Sequence, residues 1–286
     1  LMVTGVYHPE VNGAANQCRQ LVNALSGKIN FKILTTTQDP DILLRSQIDG
    51  IEISRILLKK RRSLGSYCKA VLQCITFFLS RRGDFQIVHL HGFSFKSALV
   101  TLLSKIFCKK VIIKMTSVGH DDPIAMSQRG FILNFLFTKA DVYIAISPKF
   151  KKIYQESDLP LSRLKYIPNG VDLNRFGPNK SANKLELRDH LGLPRDSKMI
   201  LFVGHWSRSH KNPDLLFYVW QKYVANVFPD SILVFIGSRN PQQFQVESDL
   251  VNEIDNKVKQ LLNKRVFFVE RTDNIEEYYQ ASDLFV

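Results

Sequence analysis

The sequence predicts an α/β protein built as two Rossmann-like, doubly wound parallel-sheet domains. Three observations carry this. Short β-branched or aromatic runs alternate with longer stretches of helical periodicity. The runs are nearly continuously apolar, as strands covered by helices on both faces are. The pattern stops and restarts once, across Pro168-Asn169-Gly170-Val171-Asp172 and Gly177-Pro178-Asn179-Lys180-Ser181, where Asn-Gly and Gly-Pro punctuate the chain. This break divides the chain into domains at 1–170 and 171–286.

In order, the first domain reads as strands at 1–6, 31–36, 51–57, 87–90, 111–115, 142–146 and 164–167. Helices fall between most of them, at 16–25, 66–79, 94–107, 130–138 and 148–156. The second domain reads as strands at 199–203, 232–236, 266–269 and 284–286, separated by helices at 212–227, 247–262 and 275–281. Pro213 suits the first helical turn and Asn212 its N-cap. No fixed-period repeat or low-complexity tract interrupts the series.

Composition narrows the class. The 286 residues are 45% hydrophobic, enough for a large core and unlike a disordered or collagen-like chain. Apolar stretches such as 70–79 run about ten residues, short of the roughly 18–20 that cross a bilayer. No basic region precedes the opening Leu1-Met2-Val3, so no secretory leader is expected. Cys18, Cys68, Cys74 and Cys108 form no Cys-x-x-Cys pair, which argues against zinc and for reduced thiols in the cytoplasm. The formal charge of +13 suits nucleic acid, anionic lipid or a phosphorylated substrate. Without an RNP-type, zinc-finger or helix-turn-helix pattern, nucleic acid is not the expected partner.

In doubly wound sheets, ligands bind beyond the carboxyl ends of the strands. The first such loop, Tyr7 to Ala15, brings Asn12 and Gly13 to the start of a helix, where backbone N–H groups meet anions. It lacks G-x-G-x-x-G, so the nicotinamide and flavin fingerprint is absent; a tight turn needing small residues reads equally well. A second loop, Gly204-His205-Trp206-Ser207-Arg208-Ser209-His210-Lys211, sets cations before a helix N-terminus. They are unfavourable there by a few tenths of a kcal/mol unless an anion joins them. A diphosphate fits, with Arg208 and Lys211 supplying most of the charge compensation.

A third loop, Thr116 to Pro123, concentrates His120, Asp121 and Asp122. These position an acceptor hydroxyl or cap the following helix. His91 ends a strand, as a ligand-facing or a structural histidine. Asp39-Pro40-Asp41 reads as a turn, and no cluster has metal-ligand spacing.

In these pieces the chain resembles group 1 glycosyltransferases of the GT-B fold, also called glycosyltransferase family 4. The matching segments are Pro9 to Gly13; His89-Leu90-His91-Gly92; Ala140 to Ser147; Ile167 to Asp172 with Arg175-Phe176; Phe202-Val203-Gly204 with Lys211-Asn212-Pro213; and Tyr279 to Val286. The resemblance implies a metal-independent, cofactor-free enzyme. It would move a sugar from a nucleotide-diphospho-sugar, with retention, to a glycan or lipid-linked acceptor, as in surface polysaccharide or glycolipid synthesis.

The first domain would hold the acceptor (Asn12, His91, Asp121, Asp122) and the second the donor. Gly13, Gly204, His205, Arg208, Lys211, Glu270 and Arg271 would contact the donor; His120 and Lys211 would act in catalysis. Where the family has Gly-Arg, this chain has Gly204-His205. A Glu-x7-Glu motif is expected beyond Val286, so the second domain is expected to be incomplete and the fragment inactive alone. A nucleic-acid-binding protein and a GT-B-fold sugar-nucleotide epimerase are the alternatives. The apolar segment 66–79, bracketed by Lys59-Lys60-Arg61-Arg62 and Arg81-Arg82, suits peripheral contact with an anionic inner membrane face, or a core-facing helix with charged ends.

Overall fold

The computed structural model describes the chain except residues 11, 59–63, 178–182, 205, 207–210, 238–247, 260–264 and 271, and the side chains of 248 and 257–259. It divides into two compact units, Leu1–Val171 and Asp172–Val286.

Unit 1 is an eight-stranded sheet. Its strands are β1 (Met2–Val3), β2 (Lys32–Thr37), β3 (Arg45–Ile48), β4 (Ile51–Leu57), β5 (Ile87–His91), β6 (Lys110–Lys114), β7 (Val142–Ala145) and β8 (Leu164–Tyr166). They are ordered β3-β4-β2-β1-β5-β6-β7-β8. Every pairing is parallel except β3–β4. That edge hairpin departs from the all-parallel expectation. Ile48 pairs with Ile51 across Asp49 (φ 51°) and Gly50 (φ 78°), the positive-φ pair that a two-residue hairpin turn demands.

Strand alternation sorts the side chains onto two faces. Val3, Leu90, Val111 and Ile113 pack under α2 (Leu64–Arg81), α3 (Phe95–Ile106), α5 (Phe131–Phe137) and α6 (Pro148–Gln155). Met2, Ile33 and Ile53 pack on the opposite face under α1 (Gly13–Leu25) through Cys18 and Val22. A short α4 (Pro123–Gln128) precedes α5. Among the described residues, no helix is long and apolar enough to cross a membrane.

Unit 2 opens with α7 (Leu173–Phe176) and α8 (Lys184–His190). Asp172 accepts from the N–H groups of Asn174 and Arg175, and Arg175 pairs with Glu276 at 2.7 Å. The Asn-Gly-Val-Asp segment is therefore a capped junction. A four-stranded parallel sheet follows, ordered β11-β10-β9-β12. Its strands are β9 (Lys198–Val203), β10 (Ser231–Ile236), β11 (Val266–Val269) and β12 (Leu284–Phe285).

Phe217 of α9 (Pro213–Val219), Trp220 just after it and Ile254 of α11 (Ser248–Lys259) cover one face of this sheet, Tyr278 and Ala281 of α12 (Ile275–Ala281) the other. The single helix expected at 212–227 is instead α9, a π-helical turn over Trp220–Val224 and α10 (Ala225–Val227). Buried Arg188 ties α8 to the sheet, donating to the carbonyls of Ala281, Arg195 and Ser197 and to Asp283 at 2.7 Å.

Candidate active site

In unit 1 the predicted residues gather beyond the carboxyl ends of three adjacent strands, β1, β5 and β6. After β1, the Asn12 side chain caps α1 by accepting from Ala15 N–H at 2.8 Å. A Cβ built on Gly13 would meet nothing within 4 Å, so the chain's own packing does not require glycine there. The loop is held from behind by Arg55, which the sequence reading passed over. Its buried guanidinium donates to the carbonyls of His8 (2.6 Å) and Leu43 (2.8 Å) and to Ser46 Oγ.

Beyond β6 the carboxylates bond the chain's own backbone, the helix-capping alternative of the two that the sequence offers. Asp121, 3% exposed, accepts from the N–H groups of Thr116 and Ser117 and from Thr116 Oγ1. Burial raises its pKa, with the hydrogen bonds opposing that shift. Asp122 caps α4 through Ala125 N–H at 2.9 Å and also accepts from Gly119 N–H. Both are loop builders.

His120 is exposed, and its Nδ1 lies 2.7 Å from Arg129 Nη2. A guanidinium only donates, so Nδ1 accepts and the ring proton resides on Nε2. The imidazole can thus donate to an oxygen in the loop. His91 is 6% exposed, and neither ring nitrogen has a hydrogen-bond partner. Burial first, then His89 and Lys114, hold its pKa well below the usual histidine range. It is a neutral residue whose ring lies 4.7 Å from that of His89, tilted by 31°.

In unit 2, Gly204, Trp206 and Lys211 follow β9, Gly237 follows β10 and Glu270 follows β11. The strands stay zipped to their ends: Gly204 N–H donates to Ile236 and Gly237 N–H to Val269. A cavity of about 160 Å³ opens there, lined by Trp206, Gly237, Asp255, Phe268, Val269 and Glu270. Trp206 and Phe268 lie 4.5 Å apart, and Phe268 stacks on Phe235 at 5.4 Å, making one wall aromatic.

The exposed Lys211 runs its stem past Gly204, where an added Cβ would lie 3.9 Å from Lys211 Cγ and 3.3 Å from the Phe202 ring. Asn212 precedes α9 in a left-handed conformation without capping it through its side chain, unlike the expectation. His205, Arg208 and Arg271 lie outside the described residues. Trp206, Asp255 and Phe268 were not singled out from the sequence, although a tryptophan two residues past a strand-end glycine was a usable signal. Among the described residues, no three His, Cys, Asp or Glu side chains are grouped to hold a metal ion.

Two parallel α/β units with polar strand-end loops define a protein of the GT-B class. Residues 11–175 match the family model Glycosyltransferase Family 4, and residues 183–286 match Glycosyl transferases group 1; the chain belongs to this glycosyltransferase family. It is 34% identical over 130 residues to the UDP-Gal:alpha-D-GlcNAc-diphosphoundecaprenol alpha-1,3-galactosyltransferase of Escherichia coli, covering 43% of this chain and 30% of that protein. It is 27% identical over 163 residues to the phosphatidyl-myo-inositol mannosyltransferase of Mycobacterium tuberculosis, covering 57% of this chain and 40% of the relative.

These matches thus span less than half the length of the curated relatives. Among solved structures, sucrose-phosphate synthase from Thermosynechococcus elongatus superposes with a TM-score of 0.74 at 19% identity, over 99% of this chain and 74% of that one. Anabaena HepE, solved in complex with UDP-glucose, gives 0.68 at 16%, over 99% and 72%. At such identities the likeness is one of fold.

Proposed function

We propose that the protein is a retaining, metal-independent glycosyltransferase that moves a sugar from a nucleotide-diphospho-sugar to a lipid-linked or glycan acceptor. The observation that carries this is the cavity beyond β9, β10 and β11, in the unit that matches the group 1 model. Its aromatic wall of Trp206 and Phe268 suits a base, and Gly237 and Glu270 supply polar edges. Lys211, beside Gly204, neutralises the diphosphate as it leaves, a fixed charge placed where negative charge develops. Gly13 leaves room for the donor over the N-terminus of α1, and His120 donates from Nε2 to an acceptor oxygen.

The named substrates of the curated relatives, a diphosphoundecaprenol-linked sugar and a phosphatidylinositol, favour a lipid-linked acceptor. A lipid-linked acceptor in turn supports a cytoplasmic location, peripheral on an anionic membrane face. Calorimetric titration of the purified chain with UDP tests the donor site. Binding is expected, and Lys211→Ala should weaken it about tenfold or more, the loss of a charge-assisted hydrogen bond worth roughly 1.5–3 kcal/mol. Absence of UDP binding, or equal binding by Lys211→Ala, would overturn the assignment.

A further inference from the structure

Lys96 stands second in α3, shortly after the His91-Gly92 end of β5. It is half-buried. Its Nζ donates to the carbonyl of Thr4, just past the end of the neighbouring strand β1, and Thr4 is 1% exposed. That carbonyl is the ammonium's one hydrogen-bond partner among the described residues, and no carboxylate pairs with it there. Desolvation lowers its pKa to about 8, opposed only by Cys74 of α2.

Cations that only brace this fold are equipped differently. Arg188 spends its donors on three carbonyls and Asp283, and Arg55 on two carbonyls and Ser46 Oγ. Lys32 is held between Glu52 and Asp84, and Lys105 against Asp141. Lys96 has neither a counter-charge nor a full set of acceptors. Taking an ammonium out of water costs more than one neutral carbonyl returns. Its place in the helix adds to that cost, because a cation in the first turn opposes the helix dipole and the first turn of α3 has no acid to offset it.

An anion would repay what folding leaves unpaid, and the place narrows its kind. Lys96 lies at the carboxyl ends of β1 and β5, among the loops that carry Asn12, His91 and His120. A neutral sugar hydroxyl cannot offset a desolvated charge. A phosphoryl group can: it brings more than one negative charge and several acceptor oxygens to the spare ammonium donors. We infer that Lys96 is a specificity-determining residue of unit 1 that binds a phosphoryl group of the acceptor, which is therefore a phosphate ester or a diphosphate. This rests on the transferase reading above and deepens it by naming the chemistry of the acceptor. The donor's diphosphate has the same chemistry, so the test separates the two sources.

The purified chain, saturated with UDP so that the unit 2 site is filled, is titrated with inorganic pyrophosphate. Calorimetry should give a dissociation constant of about 1 mM or tighter. Lys96→Gln should weaken this about tenfold or more, by loss of a charge-assisted hydrogen bond, and Lys96→Arg should restore part of it. Glutamine can still donate to the Thr4 carbonyl, so thermal melting should be unchanged. NMR of isotope-labelled lysine adds a readout that a bracing role would not move. The Lys96 Cε signal, assigned by its absence in Lys96→Gln, should titrate at about 8 without pyrophosphate and at higher pH with it, because a bound anion favours the charged form.

Equal pyrophosphate binding by the wild type and Lys96→Gln, with a Cε midpoint that pyrophosphate does not move, would leave Lys96 as an anchor for Thr4 and overturn the inference. So would the absence of pyrophosphate binding to the UDP-saturated chain. A tenfold loss of UDP affinity in Lys96→Gln would assign the ammonium to the donor's diphosphate and overturn the acceptor assignment. Failure of UDP to bind the wild type would sink the donor site alone, because the Cε titration with pyrophosphate still decides the role of Lys96.

Discussion

Acidification should destabilise unit 1 through the histidines of β5. His89 is half-buried on β5, and desolvation first, then the Lys114 ammonium on the neighbouring strand, lower its pKa to about 4. In the unfolded chain it returns to about 6.5. Between these values the unfolded state binds more protons than the native one. The stability is therefore fully present above about pH 6.5 and is lost as pH falls toward about 4. For a single histidine with these two pKa values, moving from about pH 7.5 to about pH 5 costs about 2 kcal/mol.

His91, shifted in the same direction, adds to the loss, but the pair takes up its protons as a unit and the two contributions do not sum. On a domain of this size the effect is about 4–8 °C of melting temperature. Tryptophan fluorescence is the wrong probe, because Trp206 and Trp220 both lie in unit 2. Hydrogen exchange of peptides covering 87–91 and 110–114, measured across the pH series, reads the correct unit. The variant His89→Leu/His91→Leu should flatten the dependence. A wild-type loss that the variant reproduces in full would refute the reasoning.

Three further outcomes are expected. Arg188→Met should cost unit 2 about 1–3 kcal/mol, because it leaves three carbonyls without this donor while Asp283 keeps Lys184 and the Met199 N–H; here tryptophan fluorescence during urea unfolding is the right readout, with the exchange of unit 1 unchanged. Gly92→Ala should cost about 1–3 kcal/mol, since Gly92 has φ +84° and an added Cβ would come within 3.0 Å of Thr116 Oγ1 and 3.1 Å of Asp121; exchange at 116–121 should rise while UDP affinity holds. Asp121→Asn should cost about 1–3 kcal/mol by turning one acceptor oxygen into a donor facing loop N–H groups, measured as a drop in the urea midpoint of unit 1.

Strand positions were legible because buried parallel strands write themselves as apolar runs, and 51–57, 232–236 and 266–269 appear near those bounds. What escaped was local stereochemistry with little hydrophobic content. Arg45–Ile48 has a single strongly apolar residue, so its strand was hidden, although Asp49-Gly50 is a hairpin turn pair that could have disclosed it. The π-helical turn at Trp220–Val224 left no pattern to read, since its periodicity differs from that of a helix by a fraction of a residue. In the site, glycines and cations were visible as types. Whether an aspartate meets a ligand or its own backbone depends on atoms several residues away, as Asp121 and Asp122 illustrate. Arg55 shows the converse: a cation inside a strand turned out to hold the loop in which a ligand is sought.

The charge distribution joins these strands of argument. A diphosphate-binding unit invites the expectation of net positive charge, yet unit 2 carries equal numbers of acids and bases. Local placement rather than bulk potential must then hold a nucleotide, so one lysine beside one glycine carries more of the electrostatic work than a diffuse basic field would. Unit 1 is the opposite case. Its excess is spread along the whole unit and, among the described residues, is gathered on no single buried anion. A dispersed field of this kind acts at long range and on an extended target, which is what a membrane is and a nucleotide is not. The two halves should therefore separate in salt: UDP affinity nearly flat as ionic strength rises, vesicle affinity falling steeply. A parallel decline of both would mean that one field serves both ligands, and the division of labour drawn between the units would be wrong.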